Sequence, residues 1–355
     1  MTGRTQEIRI AGRAIGSGHP PYLIAEMSGN HNGDLARALA IVEAAAKAGA
    51  DAVKLQTYTA DTITIDHDGP GFRIEGGPWA GRTLHDLYKE AHTPWAWHEA
   101  IFAKGRELEI AVFSAPFDAS AIDLLESLGA PAYKIASFEI VDLALIRRVA
   151  ETGKPMIIST GMASLAEISE AVRAARDAGA EEIAILHCTS GYPTPPEDSN
   201  LRTIPHLGRA TDTVVGLSDH TQGIAAPIAA IALGASVIEK HMTLDRADGG
   251  PDAAFSLEPA EFAALVEGCH LAWQALGDVS YARQESEKGN SQFRRSLYVT
   301  ADMAAGEIFT PDNLRSIRPG LGLEPRYLGL LLGRQARRPI ARGTPVTWDL
   351  LLDAE

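Results

Sequence analysis

Little in this chain suits it to a phosphate backbone, a membrane or a disulfide framework. Only two of its 355 residues are cysteines, Cys188 and Cys269, too few for a disulfide scaffold or a zinc knuckle. No apolar run approaches the ~18 residues of a membrane span. Acidic residues outnumber basic ones by 46 to 32, and the formal net charge of −14 opposes nonspecific binding to nucleic acid or to an anionic membrane. The opening MTGRTQEIRI lacks the apolar core of a secretory signal, so a cytoplasmic location is expected. Absent too is a G-x-G-x-x-G turn: the first apolar run leads into SGNHNGD, which argues against a dinucleotide-binding doubly wound sheet.

What the chain does have is a repeat. Eight β-rich runs, at 22–27, 52–58, 110–116, 132–137, 155–160, 182–188, 213–218 and 236–241, alternate with Ala-rich stretches whose apolar residues recur at helical spacing. Four of those stretches end in Gly-Ala just before the next run, at Gly49, Gly129, Gly179 and Gly234, as a left-handed helix stop requires. Near-continuous apolar strands alternating with helices predict a parallel sheet, and eight units predict a (β/α)8 TIM barrel. The stretch IRIAGRAIG reads as a hairpin closing the bottom of that barrel. Residues 59–97 make a long excursion after the second run, of the kind that serves as a lid or binding loop. A single core rarely grows beyond ~250 to 300 residues, so the chain is divided into a barrel over 1–280, a polar linker over 281–292 and a small short-stranded unit over 293–355.

In this architecture the active site lies at the C-terminal strand ends. The polar residues there are Glu26, Lys54, Gln56, Ser114, Lys134, Ser137, Glu139, Ser159, His187, Ser218, His220, Glu239 and His241, all expected at one mouth. Lys54 and Lys134 each interrupt an apolar strand, where a charge needs a partner. A strand-end carboxylate is one such partner. With Ser137, Ser159 and Ser218 nearby, a phosphate dianion is the other. A histidine among apolar neighbours is more often a hydrogen-bonded core residue than a ligand, and His187 is read so. His220 and His241 end consecutive strands and converge. Two imidazoles without thiolates suit a divalent ion that keeps positions for water and substrate oxygens, with manganese, magnesium and cobalt all open. Such an ion polarises a carbonyl. Glu26 and Glu139 then serve as proton acceptor or water-activating base, or accept from sugar hydroxyls. The residues thus point to a metal-assisted enzyme that joins or cleaves a phosphorylated anion and a polar carbonyl compound. The rivals are a pyruvate-type aldolase with a Schiff base on Lys134 and a non-catalytic sugar- or ice-binding protein, which leaves the polar strand ends unexplained.

In order, IAEMSGNHNGDL, GADAVKLQTYTADT, AYKIASFE, IISTGMAS, LHCTSGYPT, GLSDHT, IEKHM, GGPD and IRPGLGL resemble the sialic acid synthase family, over nearly the whole chain. GGPWAGRTLHDLYKEAHTPWAWH resembles its pseudaminic acid branch more than the N-acetylneuraminate or legionaminic acid branches. The resemblance implies a transferase that condenses phosphoenolpyruvate with an open-chain acetamido sugar, in that branch 2,4-diacetamido-2,4,6-trideoxy-L-altrose. It implies that Lys54, Lys134, Ser137, Ser159 and Ser218 hold phosphoenolpyruvate and that His220 and His241 bind the metal, manganese first. Glu26, Gln56, Tyr192 and Asp252 then address the sugar, with Glu139 near the metal and its water. The C-terminal unit resembles the antifreeze-like (SAF) domain, which in the family caps the partner's site in a swapped homodimer, an arginine matching Arg318 reaching the acetamido group. Two positions depart from the neuraminate pattern: Ala115 stands for a threonine and Ser190 for an asparagine.

Overall fold

The computed structural model describes residues 6–352 apart from Pro78. Residues 1–5, part of the stretch read for a leader, and 353–355, the end of the C-terminal unit, lie outside them, as does Pro78 of the excursion. The chain divides into two compact units, Met1–Gly277 and Asp278–Glu355. Among the described residues no helix is long and apolar enough to cross a membrane.

The first unit opens with a hairpin, β1 (Glu7–Ile10) and β2 (Arg13–Gly16), paired antiparallel. Eight strands follow: β3 (Tyr22–Glu26), β4 (Ala52–Thr57), β5 (Ala111–Pro116), β6 (Tyr133–Ile135), β7 (Met156–Ser159), β8 (Ile183–Cys188), β9 (Val214–Asp219) and β10 (Val237–His241). All neighbours pair in parallel, and β10 pairs with β3 to close the barrel. The connecting helices are α1 (Leu35–Lys47), α2 (Ala60–Ile63), α3 (Leu84–Ala91), α4 (His98–Glu107), α5 (Ala119–Ser127), α6 (Leu143–Ala150), α7 (Leu165–Asp177), α8 (Thr203–Thr211) and α9 (Ala225–Ala232), with α10 (Pro259–Leu276) last. Gly49, Gly129, Gly179 and Gly234 have φ of +85°, +72°, +101° and +96°, a region that strains side-chain-bearing residues.

Strand side chains alternate between two faces, and here each face has its own core. Leu23, Ala25, Val53 and Leu55 point out against the helices. Tyr22, Ile24, Phe113, Ile157 and Val237 point into the lower barrel, where Ile8, Ile10 and Ile15 of the hairpin pack against them. The hairpin therefore plugs the bottom and leaves the upper end to polar residues. The excursion 59–97, expected as a lid or binding loop, carries secondary structure of its own. It holds α2, α3 and a 3-10 turn at Trp95–Trp97. Thr83 caps α3 by accepting from the Asp86 amide at 3.1 Å, but α3 is only 8 residues long and buries only Leu87, too short a stretch to stand out as a helix within the excursion.

In the second unit β11 (Ser296–Val299) pairs antiparallel with β12 (Leu314–Ile317). Leu297, Val299, Phe309, Leu314, Ile340 and Val346 form its own core, and a single helical turn, α11 (Leu328–Leu331), follows. The stretch expected as a linker carries 3-10 turns at Glu285–Phe293.

Ile10 is fully buried in the plug, so Ile10→Ala should cost about 2 to 5 kcal/mol through lost burial and the cavity left behind. Urea denaturation reads that loss, and because the plug lies at the end of the barrel away from the mouth, KM values should stay unchanged.

Candidate active site

The strand register gathers ionisable groups at the upper end of the barrel. Glu26 pairs with both Lys54 and His241, and Ser218 with Glu239, so these residues share the inward face. Glu239 is the hub. Its carboxylate accepts from the Lys134 ammonium at 2.9 and 3.1 Å and from the Ser218 hydroxyl at 3.3 Å, and lies 3.7 Å from Lys54 Nζ. Lys54 also meets Glu26 at 2.7 Å, and Gln56 donates to Glu26 at 2.8 Å. All four ionic side chains are buried. Burial pushes Glu239 upward in pKa, but Lys134 and Lys54 outweigh it and hold the carboxyl below the ordinary value. For Glu26 burial wins over Lys54, and its carboxyl titrates above the usual range. Lys54, with two carboxylates beside it, is raised despite burial, whereas burial lowers Lys134. The two lysines thus have carboxylate partners already, and a phosphate would have to share them.

The imidazoles come together as the spacing implied. Asp219 and Lys240 are the last pair in the β9–β10 register, so His220 and His241 follow side by side, ring centroids 5.3 Å apart. His220 Nδ1 lies 3.0 Å from the Thr189 carbonyl, which only accepts, so Nδ1 carries the proton and Nε2 is free to ligate. Burial disfavours the His220 imidazolium, but the neighbouring Cys188 sulfur and the Thr189 carbonyl outweigh it and raise its pKa. His241 is held neutral by burial, then by the charges of His220 and three lysines. Its Nδ1 is buried without a hydrogen-bond partner, 3.9 Å from Asp252. Among the described residues no cluster of three His, Cys, Asp or Glu side chains is arranged for a metal. The donor set fits a divalent ion with two protein nitrogens and open positions: the orphaned Nδ1 wants a partner, and a bare imidazole nitrogen is the ligand form.

Several hydroxyls line the same mouth. Ser159 Oγ is buried without a partner, and Ser137 Oγ accepts from the Gly161 amide at 3.1 Å. Glu139 follows on the 3-10 turn Ser137–Val141, one carboxylate oxygen buried and unpaired. Burial raises its pKa to about 7. Tyr192 stacks obliquely on His220, centroids 4.4 Å apart, and Asp252 accepts from Ser28. Ala115, fully buried, offers no side-chain hydrogen bond, and Ser190 Oγ is buried without a partner.

Ser114 does not belong to this group. It pairs in register with the outward Leu55, and its hydroxyl meets Thr57, which in turn meets His98 of α4. His187 likewise bonds the Ser199 carbonyl at 2.7 Å. Arg318 lies in the second unit, one residue past β12. Three contributors escaped the sequence reading. Ser28 bridges Gln56 and Asp252; Phe255 faces both imidazoles. Trp79 of the excursion packs on Tyr192 and donates to the Pro251 carbonyl at 3.0 Å. Each had a signal: Ser28 lies within IAEMSGNHNGDL, Trp79 within GGPWAGRTLHDLYKEAHTPWAWH, and Phe255 three residues past GGPD.

A plugged parallel barrel with a charged mouth, followed by a small β unit, defines a TIM-barrel enzyme with an appended domain. The NeuB family matches residues 41–281 and the SAF domain residues 294–352; the chain belongs to the NeuB family. The pseudaminic acid synthase of Campylobacter jejuni is 44% identical over 322 residues, 91% of this chain and 94% of its own length. That of Helicobacter pylori is 41% identical over 331 residues, 93% of this chain and 97% of its own. Among solved structures, the N-acetylneuraminic acid synthetase of Leptospira borgpetersenii, in complex with citrate, has a TM-score of 0.73 at 32% identity, covering 82% of this chain and 96% of that one.

Glu239→Gln leaves the buried Lys134 ammonium without a carboxylate and Lys54 with Glu26 alone, a loss of about 3 to 5 kcal/mol for a broken buried pair. Denaturant titration should show it, and stability within 1 kcal/mol of wild type, by the same reckoning, would mean that water or another group already serves the lysines.

Proposed function

We propose that the protein is a pseudaminic acid synthase, condensing phosphoenolpyruvate with 2,4-diacetamido-2,4,6-trideoxy-L-altrose to give pseudaminic acid and phosphate. The observation that carries this is similarity along nearly the whole chain: the pseudaminic acid synthases reach 44% identity, against 37% for the N,N'-diacetyllegionaminic acid synthase of Campylobacter jejuni. Lys54 and Lys134 hold the phosphate and carboxylate of phosphoenolpyruvate, with hydroxyls from Ser137, Ser159 and Ser218. Its C3 bonds to the aldehyde carbon of the sugar, a water oxygen bonds to C2, and the C–O bond to phosphate breaks. Glu139, with a pKa raised to about 7, takes the proton of that water. Glu26 and Gln56 orient sugar hydroxyls, Tyr192 supplies an apolar face, and Asp252 accepts. A divalent ion on His220 and His241, manganese first with magnesium or cobalt as alternatives, supplies Lewis-acid polarisation of the aldehyde. The need for phosphoenolpyruvate agrees with a cytoplasmic enzyme.

The reading includes a second copy of the chain. Phe138, Val141, Met162 and Leu165 follow β6 and β7 and are 56%, 62%, 81% and 46% exposed, an apolar group beside Ser137 and Ser159. In a domain-swapped homodimer the partner's SAF domain covers it and brings the partner's Arg318 to an acetamido oxygen.

Phosphate release from phosphoenolpyruvate by chelator-treated, manganese-loaded protein tests the reading. Release with the L-altro diacetamido sugar is expected. Release with N-acetylmannosamine or the legionaminic precursor instead would reassign the branch, and a borohydride-trapped pyruvate adduct on Lys134 would make the protein an aldolase. Glu139 works as a base only when ionised, so kcat should rise with pH through about 7. Glu139→Gln should remove that limb and lower kcat by about 10² to 10⁴; an unchanged pH profile would assign the limb to another group. Mixing Lys134→Met with Arg318→Ala protein, each inactive alone, should restore activity if sites are shared between copies, and no recovery from co-refolded mixtures would exclude the swap.

A further inference from the structure

A second ion pair lies one residue before each imidazole, on the opposite face of the same strands. Lys240 has no side-chain exposure and Asp219 has 3%. The Lys240 ammonium binds the Asp219 carboxylate and the Thr221 carbonyl. Asp219 also accepts from the Thr221 amide at 3.1 Å and from its hydroxyl at 3.0 Å. Strand alternation turns Glu239 and His241 inward and therefore turns Lys240 out, as it does Asp219 between Ser218 and His220. Neither residue reaches the reacting groups, and the chemistry described above has no use for them.

A buried ion pair is weak evidence for stability, because an apolar pair of similar volume often does as well or better. What it supplies is direction. This one ties the residue before His220 and the residue after it to the residue before His241. The backbone at His220 is held from another side as well, its carbonyl accepting from the Thr194 amide at 3.0 Å. At the other end of the same two strands, a side chain on Gly216 would come within 2.2 Å of the Val237 carbonyl, so β9 and β10 are kept close along their length.

We propose that the Lys240–Asp219–Thr221 clamp is a positioning device: it fixes the spacing and facing of the His220 and His241 imidazoles and so sets the affinity of that pair for a divalent cation. The proposal rests on the metal reading of those two imidazoles. Lys240 and Asp219 are positioning residues that touch neither ion nor substrate.

The test is manganese binding to the full chain, by calorimetry and by the electron paramagnetic resonance spectrum of the bound ion. Single substitutions strand a buried charge and endanger the fold, so the informative variant is Lys240→Met/Asp219→Leu, which removes both charges and keeps apolar volume. It should fold, melt near the wild-type temperature and bind manganese about 10- to 100-fold more weakly, the range seen when a ligand loses its orienting partner, with a broadened spectrum. Wild-type affinity and spectrum in the folded double variant would overturn the proposal. If that variant does not fold, Thr221→Val decides: it keeps the side-chain volume and deletes one clamp bond, and unchanged manganese affinity would overturn the proposal equally. Failure of the wild-type protein itself to bind manganese would refute the metal reading instead, and the clamp with it.

Discussion

The mouth of this barrel depends on one carboxylate. Two lysines point into an interior that would otherwise neutralise or expel them, and Glu239 stands between them, bonded to Lys134 and within 3.7 Å of Lys54. A charge buried without a partner costs several kcal/mol, so the inward face of β10 constrains what β4 and β6 can carry. The hairpin plug completes the arrangement. With Ile8, Ile10 and Ile15 filling the lower end, water reaches the charges only from above, and the interactions among them are less screened than at a surface.

The alternation of strand side chains lets two electrostatic systems coexist on β9 and β10 without mixing. Ser218, His220, Glu239 and His241 face inward, where a substrate can meet them; Asp219 and Lys240 face the helices, where none can. Each strand therefore carries a reactive face and a holding face one residue out of step. An insertion of a single residue in either strand would exchange them.

That alternation also marks the limit of what the sequence discloses. The eight strand ends, the helix stops at Gly49, Gly129, Gly179 and Gly234 and the convergence of His220 with His241 were legible, because they follow from spacing alone. Which residues face inward was not. In a half-exposed strand the polar positions announce the outer face, but in a parallel barrel both faces are buried and both read apolar. Ser114 was therefore placed at the mouth although it faces α4, whereas Ser159, equally a strand-end serine, pairs with Leu186 of the inner face and points inward. Glu239 looked like one polar residue among many, since its importance lies in two lysines 105 and 185 positions earlier. The contacts of Trp79 were illegible for a different reason: although it stands in a stretch that resembles the family, its partners, Pro251 and Tyr192, meet it through an excursion whose short helix buries a single leucine.

The charges themselves argue for the order in which the proposed site can fill. Lys54 and Lys134 against Glu26 and Glu239 sum to zero when all are ionised. Phosphoenolpyruvate entering that cluster, with a phosphate dianion and a carboxylate, leaves three uncompensated negative charges in a buried space, which the fold cannot tolerate without counter-charge. Glu26 can relieve one of them, because burial already raises its pKa and a nearby dianion raises it further by like-charge repulsion. Neutral His241, with an unpaired buried nitrogen, offers no positive charge of its own, but it offers a place for one. With Glu26 protonated, a cation of charge two on the imidazole pair would balance the two charges that remain, so phosphoenolpyruvate and metal should each favour the other's binding. That coupling is reciprocal by necessity. It would also let a chain of net charge −14 take up an anionic substrate: the pocket is not cationic at rest, and would become so only with the metal bound.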